Sequence, residues 1–102
     1  MIRVNVFYPR QEGGNFDYDY YLGTHIPMVR EKLGDVLKRV EVYKGVAGAG
    51  GGPEPYVTAA SLFFDSVEAF ENSFGPHAEE IMGDIPNFTN LEPTVQIEDQ
   101  LL

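Results

Sequence analysis

Residues 16–30 read FDYDYYLGTHIPMVR, and both the fold and the candidate site depend on this stretch. On a helix, Tyr18, Tyr21 and His25 are spaced three and four residues apart, so they share one face. Met28 continues that face, which brings phenols and an imidazole to the edge of the core and predicts an apolar site with a few polar groups. A neighbouring apolar stripe is typical of an ordinary core face: Leu22, Ile26, Val29 and Leu33.

Pro27 lies inside this predicted helix. Proline has no backbone N–H and its ring crowds the carbonyl group four residues earlier, so we expect the helix to kink or restart here. Ile26 should leave the helical conformation, because a following proline disfavours it. His25 then lies at a helix break, and imidazole is the side chain most often used as an acid or a base. The sequence leaves two roles open for His25, an acid–base group or a residue that caps the second half-helix or closes an edge of the core.

The composition argues against several classes of partner. The 102 residues carry a formal net charge of −9 with only 7 Lys and Arg, whereas nucleic acids and anionic membranes select basic patches. We therefore expect no nucleic-acid partner and no membrane partner. The absence of cysteine excludes disulfides, thiolate metal sites and a cysteine nucleophile. No apolar run approaches the roughly 20 residues of a membrane span, and the first residues lack a signal-peptide pattern, so a cytoplasmic protein is expected.

The rest of the chain predicts four strands and two helical regions. Alternating or β-branched sequence favours strands at residues 1–9, 36–46, 56–64 and 94–100. Between the second and third strands, the Gly-rich residues 47–55 predict a long hairpin loop and not a phosphate loop, because no GK[ST] ending follows.

Capping residues define the helices. Asp17 suits the N-cap of the first helix, and Gly34 suits the position just after its C-terminus. The second helix begins after Asp65 or Ser66 and breaks at Gly75-Pro76, and a further short helix follows at 77–85.

The resulting order is strand, helix, strand, strand, helix, strand. This βαββαβ pattern predicts an α+β, ferredoxin-like fold, a four-stranded antiparallel sheet with both helices on one face, as a single domain over residues 1–102. The other face would carry Asn5, Phe7 and Tyr43, together with half of the apolar third strand. Such a face is too apolar to remain exposed to solvent, so we expect a homodimer joined through the two sheet faces.

No recognised catalytic motif occurs, so any chemistry must come from a looser set of residues. His25 is suited to act as a general acid or base. Asp84 lies in a Pro-punctuated segment and is expected to orient His25, to bind substrate or simply to cap a turn. His77 and Glu80 lie three residues apart on a short predicted helix, where exposed pairs are usually solvated, so we predict no metal site.

Three stretches resemble one protein family: FDYDYYLGTHIPMV at 16–29, PYVTAASLFFDSVEAF at 55–70 and EEIMGDIPNFTNLEPTVQI at 79–97. In this order they resemble the EthD family of dimeric α/β-barrel proteins, along nearly the whole chain. The string F-D-x-x-Y-Y-x-x-x-H-x-P-x-V is the most specific part, followed by D-I-P-N-F-T. The family takes its name from an ether-degradation gene cluster.

The resemblance implies ferredoxin-like dimers whose sheets build a barrel, with a cavity between sheet and helices. By the family pattern, His25 would be catalytic, and Asp84 and Phe88 would be pocket residues. Tyr21 is a further candidate for substrate binding, as are three residues of the opposite sheet face: Asn5, Phe7 and Tyr43. The wider superfamily includes haem enzymes, but this chain is shorter than those relatives and one His is weak evidence for an axial ligand, so no cofactor is predicted.

The expected function is binding of an apolar or aromatic small molecule in a pocket near His25. The chemistry would be acid–base work of the cyclase, dehydratase, isomerase or decarboxylase kind, or cofactor-free oxygenation, and fold analogy does not choose between these. The alternative is a non-catalytic carrier or accessory subunit of a degradation pathway, in which His25 only donates or accepts a hydrogen bond.

Overall fold

Four antiparallel strands form one sheet in the computed structural model, which describes residues 1–102. They are β1 (Ile2–Pro9), β2 (Arg39–Lys44), β3 (Tyr56–Phe64) and β4 (Thr94–Asp99), in the order β2-β3-β1-β4. In the register of the sheet, Val4 of β1 pairs with Leu62 of β3 and with Ile97 of β4. The two helical regions lie between β1 and β2 and between β3 and β4, so the predicted ferredoxin-like fold is confirmed.

The first helical region is continuous but not uniform. It comprises α1 (Tyr18–Tyr20), a π-helical turn (Tyr21–His25) and α2 (Ile26–Leu33). The second comprises α3 (Val67–Phe74), a 3-10 turn (Gly75–His77) and α4 (Ala78–Gly83), followed by a second 3-10 turn (Ile85–Asn87). None of these helices has the length and apolar character needed to cross a membrane.

Pro27 does not break the helix. Ile26 has φ −61° and ψ −45°, which is helical, so the expected departure from the helical region is wrong. The backbone N–H of Ile26 reaches the carbonyl group of Tyr21, five residues earlier. A turn of this width leaves more space than an α-turn, and we attribute the uninterrupted path of the chain to the room it provides for the proline ring.

The π-helical turn also decides which side chains are buried. Tyr21, His25, Val29 and Leu33 are spaced four residues apart, and each is at most 5% exposed. Leu22, which the regular spacing assigned to the core, is 53% exposed, so that assignment is wrong. An α-helix rotates about 100° per residue, so the additional residue in the wide turn moves the buried stripe from one face to the next.

Two clusters of buried side chains fill the space between the helices and the sheet. The first is mainly aliphatic: Ile2, Val4, Val29, Leu33, Phe64 and Ile81. The second is mainly aromatic: Tyr8, Tyr21, Ala60, Phe88 and Leu91. His25 follows Tyr21 and precedes Val29 on the same stripe, so it lies where the two clusters meet.

The caps and ends differ from the sequence expectations in two details. Ser66, not Asp65, is the N-cap of α3, because its hydroxyl accepts from the Ala69 N–H. β2 begins at Arg39 and not at Val36, because Gly34–Val36 forms a 3-10 turn after α2. Asp17 does cap α1, and Gly34 has φ +59°, a conformation that favours glycine just after a helix.

Candidate functional site

His25 and Asp84 are in direct contact, although the chain separates them by 59 positions. The imidazole Nδ1 lies 2.8 Å from a carboxylate oxygen of Asp84. His25 ends the π-helical turn, and Asp84 follows α4 at the start of the second 3-10 turn. The two side chains are 6% and 15% exposed, so the pair is largely shielded from solvent.

Two further side chains hold the Asp84 carboxylate in place. The Tyr20 hydroxyl donates to it at 2.7 Å, and the Asn87 amide donates to the same oxygen at 2.9 Å. Burial raises the pKa of Asp84, but the hydrogen bonds from Tyr20, Asn87 and His25 outweigh it and hold the pKa below its usual range. The carboxylate is therefore ionised at neutral pH and accepts three hydrogen bonds, which exceeds the role of a simple turn cap.

This arrangement assigns the tautomer of neutral His25. An ionised carboxylate can only accept, so the proton of the shared hydrogen bond must belong to Nδ1. The other nitrogen, Nε2, is then an unprotonated acceptor. Nε2 makes no hydrogen bond within the chain. Every solvent-inaccessible polar side-chain atom of the chain has a hydrogen-bond partner, so Nε2 is accessible to solvent. A histidine held in this way can take a proton from a bound molecule.

Aromatic rings fix the orientation of the imidazole. The Tyr21 ring stacks on it with centroids 5.5 Å apart and an interplanar angle of 15°. Phe88 packs against it at 4.7 Å, and both aromatic residues are only 2% exposed. The structure therefore brings together four residues that the sequence selected: Tyr21, His25, Asp84 and Phe88.

A cavity of about 270 Å³ lies between the sheet and the helices beside His25. Its inner lining includes buried Val4, Val29 and Ile81, whereas Met82 and Val95 are 47% and 48% exposed and mark its mouth. The remaining lining is again mostly apolar: Val6, Tyr8, Tyr21, Ile26, Leu62, Phe70, Phe74, Ile85 and Pro93. Such a space suits an apolar ligand with few polar groups.

Three residues of the site were not identified from the sequence: Tyr8, Tyr20 and Asn87. Tyr8 lines the cavity, and the period-two alternation of β1 with Val4 and Val6 was a usable signal for it. Tyr20 contacts Asp84 from the other helical region, a relation that only the tertiary structure reveals. Asn87 lies three residues after Asp84 in the same turn, so the D-x-x-N spacing was a usable local signal for it.

Asn5, Phe7 and Tyr43 lie on the opposite face of the sheet. Phe7 pairs with Ala59 of β3, which pairs in turn with Tyr43 of β2. None of the three lines the cavity beside His25. Asn5 instead accepts from the Ser61 hydroxyl at 3.1 Å and is 6% exposed. Within one chain these residues therefore do not share a pocket with His25, and their role in substrate binding stays a prediction.

Glu80, three residues from His77, makes a contact elsewhere. Glu80 forms an ion pair with Lys32 at 2.6 Å. No group of three or more His, Asp or Glu side chains comes together as a metal-ligand set.

A family model described as "EthD domain" matches residues 15–92. None of the curated proteins matches the sequence. The crystal structure of an EthD-like protein from Ralstonia eutropha is 41% identical, with a TM-score of 0.93, and the match covers 99% of this chain and 92% of that one.

Two more distant structures share the fold. An ethyl tert-butyl ether D (EthD) family protein from Bacillus halodurans has a TM-score of 0.71 at 16% identity, with 99% of each chain covered. A dimeric protein of unknown function and ferredoxin-like fold from Bacteroides fragilis has a TM-score of 0.60 at 10% identity, covering 97% of this chain and 95% of that one. At these identities the likeness concerns the fold alone.

Proposed function

The chain belongs to the EthD family, and from this premise we propose that it binds a small apolar or aromatic molecule in the cavity beside His25 and transfers protons within it. The resemblance of the three quoted stretches to that family is confirmed. The observation that carries the proposal is the hydrogen bond between His25 Nδ1 and Asp84 at the wall of an apolar cavity, with Nε2 left unbonded.

In the proposed reaction, Nε2 of His25 removes a proton from a C–H or O–H group of the substrate. The Asp84 carboxylate keeps the Nδ1 proton in place and stabilises the imidazolium that forms. The imidazolium then returns the proton to another atom of the same molecule. Isomerisation, cyclisation and dehydration all need this sequence of steps, and cofactor-free oxygenation would begin with the same proton removal.

The volume of the cavity limits the substrate. Liquid water occupies about 30 Å³ per molecule, so a cavity of about 270 Å³ accommodates about nine groups of that size. This is the size of a single substituted ring, and a longer molecule would extend through the mouth between Met82 and Val95.

Proton transfer can be measured without the natural substrate. Phenylacetone, a ketone with a single aromatic ring and of suitable size, exchanges its acidic C–H protons for deuterium in D₂O, and NMR follows the exchange. We expect the wild-type protein to accelerate it, and His25→Ala to remove most of the acceleration, since positioned acid–base groups contribute typically about 10²–10⁴-fold. His77→Ala changes the other histidine, outside the cavity, and should leave exchange unchanged.

The same assay separates the enzyme from a carrier. If phenylacetone binds to wild-type protein and to His25→Gln equally well, and neither protein accelerates exchange, acid–base chemistry is wrong for this ligand class and the carrier role is favoured. If exchange persists unchanged in His25→Ala, the assignment of the base is wrong.

We also propose that a second copy of the chain covers the sheet face opposite the helices. That face exposes Tyr43 and Tyr56 at 57% and 43%, and the Phe7 ring packs on Tyr56 with centroids 5.0 Å apart. Exposed aromatic residues of this kind mark interaction surfaces. Sedimentation equilibrium should give a dimer for wild type and a monomer for Tyr43→Glu. Leu22→Glu adds the same charge on the other side of the molecule and should remain dimeric. A wild-type monomer at tens of micromolar would contradict the proposal.

A further inference from the structure

The hydroxyl groups of Tyr8 and Tyr21 are the other polar groups of the cavity. Tyr8 comes from β1 and Tyr21 from the π-helical turn, and each side chain is 2% exposed. Their rings meet edge to face, with centroids 6.1 Å apart and an interplanar angle of 80°. Both residues line the same cavity as His25.

Neither hydroxyl has a protein acceptor apart from the other member of the pair. Tyr21 donates weakly toward the Tyr8 oxygen, outside ordinary hydrogen-bond geometry, and neither hydroxyl donates to any other group of the chain. Neither is sealed from solvent, since no buried polar side-chain atom lacks a partner. Two accessible hydroxyls beside one apolar cavity, whose donor capacity the chain does not fully use, are suited to bind an oxygen atom of a ligand.

Both phenols remain neutral donors. Burial raises the pKa of Tyr8 well above its ordinary value, and burial, aided by the neighbouring Tyr8 oxygen, raises the pKa of Tyr21 as well. The residues around the cavity include no Lys or Arg. A negative charge that develops on a bound molecule there must therefore be stabilised by these two O–H donors and by the imidazolium of His25.

We propose that the Tyr8 and Tyr21 hydroxyls together bind the carbonyl oxygen of the substrate and stabilise the enolate that forms when His25 removes a neighbouring proton. The inference rests on the proposed acid–base function and deepens it. The substrate class is then a small aromatic or apolar ketone with an acidic C–H beside the carbonyl. The C–H bond breaks, an N–H bond forms at Nε2, and the electron pair forms the C=C bond while the carbonyl pair moves to oxygen. Return of the proton to carbon restores the carbonyl group and neutral His25.

Hydrogen-bond donors directed at an oxygen that gains charge act mainly on the transition state. Loss of either phenol hydroxyl should therefore lower the rate of phenylacetone exchange more than it lowers phenylacetone binding. This separation distinguishes an oxygen-binding role from a purely structural one.

The test uses para-nitrophenol, whose phenolate resembles an enolate and absorbs visibly, and nitrobenzene, which has the same ring without the hydroxyl. Wild-type protein should bind para-nitrophenol as the phenolate at a pH below the pKa of the free probe. Tyr8→Phe and Tyr21→Phe should each weaken phenolate binding by at least about tenfold, the effect of losing a hydrogen bond to a charged group, and should leave nitrobenzene binding unchanged. Tyr56→Phe removes a hydroxyl on the opposite sheet face and is the matched control.

The outcomes separate the two proposals. If both single variants bind the phenolate as tightly as wild type, the oxygen-binding pair is wrong while the role of His25 stands. If wild-type protein binds para-nitrophenol only in its neutral form, the pair is also wrong, and that result does not depend on the folding of any variant. If wild-type protein binds neither probe, the proposed small-molecule function fails as well.

Discussion

Asp84→Asn should leave the protein folded but should prevent His25 from acting as a base. The carboxylate accepts from Tyr20, Asn87 and His25 Nδ1. An amide has one acceptor oxygen and one NH₂ donor, so it can keep the bonds from Tyr20 and Asn87 only if it turns the NH₂ toward His25. Nδ1 must then accept, and the imidazole proton moves to Nε2. The unprotonated Nε2 is lost, and with it the proton acceptor of the site.

The structure sets the expected magnitudes. Hydrogen bonds to a charged group contribute about 1.5–3 kcal/mol and neutral ones about 0.5–1.5, so weakening three bonds costs about 3 kcal/mol. Easier burial of the neutral amide offsets part of this, and we expect a net loss of about 2 kcal/mol in the free energy of unfolding. The loss of activity should be much larger. The same Asp-to-Asn substitution in the serine-protease triad lowers turnover about 10⁴-fold, because the imidazole adopts the wrong tautomer. We expect a loss of about 10³–10⁴-fold here.

The pH dependence checks the cause of the stability loss. The pKa of Asp84 is lower in the folded state, so its contribution is present above the unfolded pKa near 3.9 and is lost as pH falls through the folded pKa. The gap in unfolding free energy between wild type and Asp84→Asn should therefore be present at neutral pH and should close below about pH 4.

Urea unfolding and phenylacetone exchange provide the two measurements. Asp99→Asn is the matched control, because Asp99 is exposed and makes no side-chain hydrogen bond or ion pair. Full exchange activity in Asp84→Asn would refute the tautomer argument, whatever its stability. A stability gap that persists unchanged to pH 2 would show that the carboxylate charge is not its source.

Two further predictions concern stability alone. Leu33→Ala should cost about 2–5 kcal/mol in urea unfolding because Leu33 is 4% exposed, whereas Leu22→Ala should cost less than about 0.5 kcal/mol because Leu22 is 53% exposed; equal costs would contradict the π-helical turn. Folding raises the pKa values of Tyr8 and Tyr21. Their contribution to the free energy of unfolding should therefore be fully present below the unfolded pKa near 10, and the free energy of unfolding should fall by about 2.7 kcal/mol per pH unit above it. Tyr20, whose pKa is also raised by its hydrogen bond to Asp84, adds to the same pH dependence. Tyr8→Phe should lower the slope by about 1.4 kcal/mol per pH unit, and a stability independent of pH between about 10 and 11.5 would contradict the burial of both phenols.

The elements of the fold follow from local patterns that survive tertiary packing. In β1, Val4 and Tyr8 alternate with Asn5 and Phe7, and the sheet does place these two pairs on opposite faces. Such alternation depends only on the two-residue period of a strand, so it can be predicted without knowledge of the partners. The prediction that Asn5 and Phe7 bind substrate goes beyond that pattern, because the alternation shows only which side chains share a face of the strand.

The contacts of the site required a different kind of information. Asp84 as a partner of His25 was one of three open alternatives, because nothing local to a turn distinguishes a cap from a carboxylate that reaches across the molecule. Tyr20 was even less accessible to prediction. It lies beside Tyr21 in sequence, yet its hydroxyl reaches Asp84 outside the cavity while Tyr21 faces inward.

The π-helical turn explains both the wrongly predicted buried stripe of this helix and the position of His25 in the site. With regular α-helical spacing, a side chain four residues beyond Tyr21 advances by about 40° on the helix surface, so Tyr21, His25 and Val29 would drift apart over two such steps. The wide turn at Tyr21–His25 removes that drift and aligns the imidazole with the aromatic and the aliphatic parts of the core. Leu22 becomes exposed as a consequence. Predicting a buried stripe from residue spacing assumes one constant helical period. That prediction failed at the π-helical turn, which places His25 in the cavity wall and precedes a proline that disfavours the narrower α-turn.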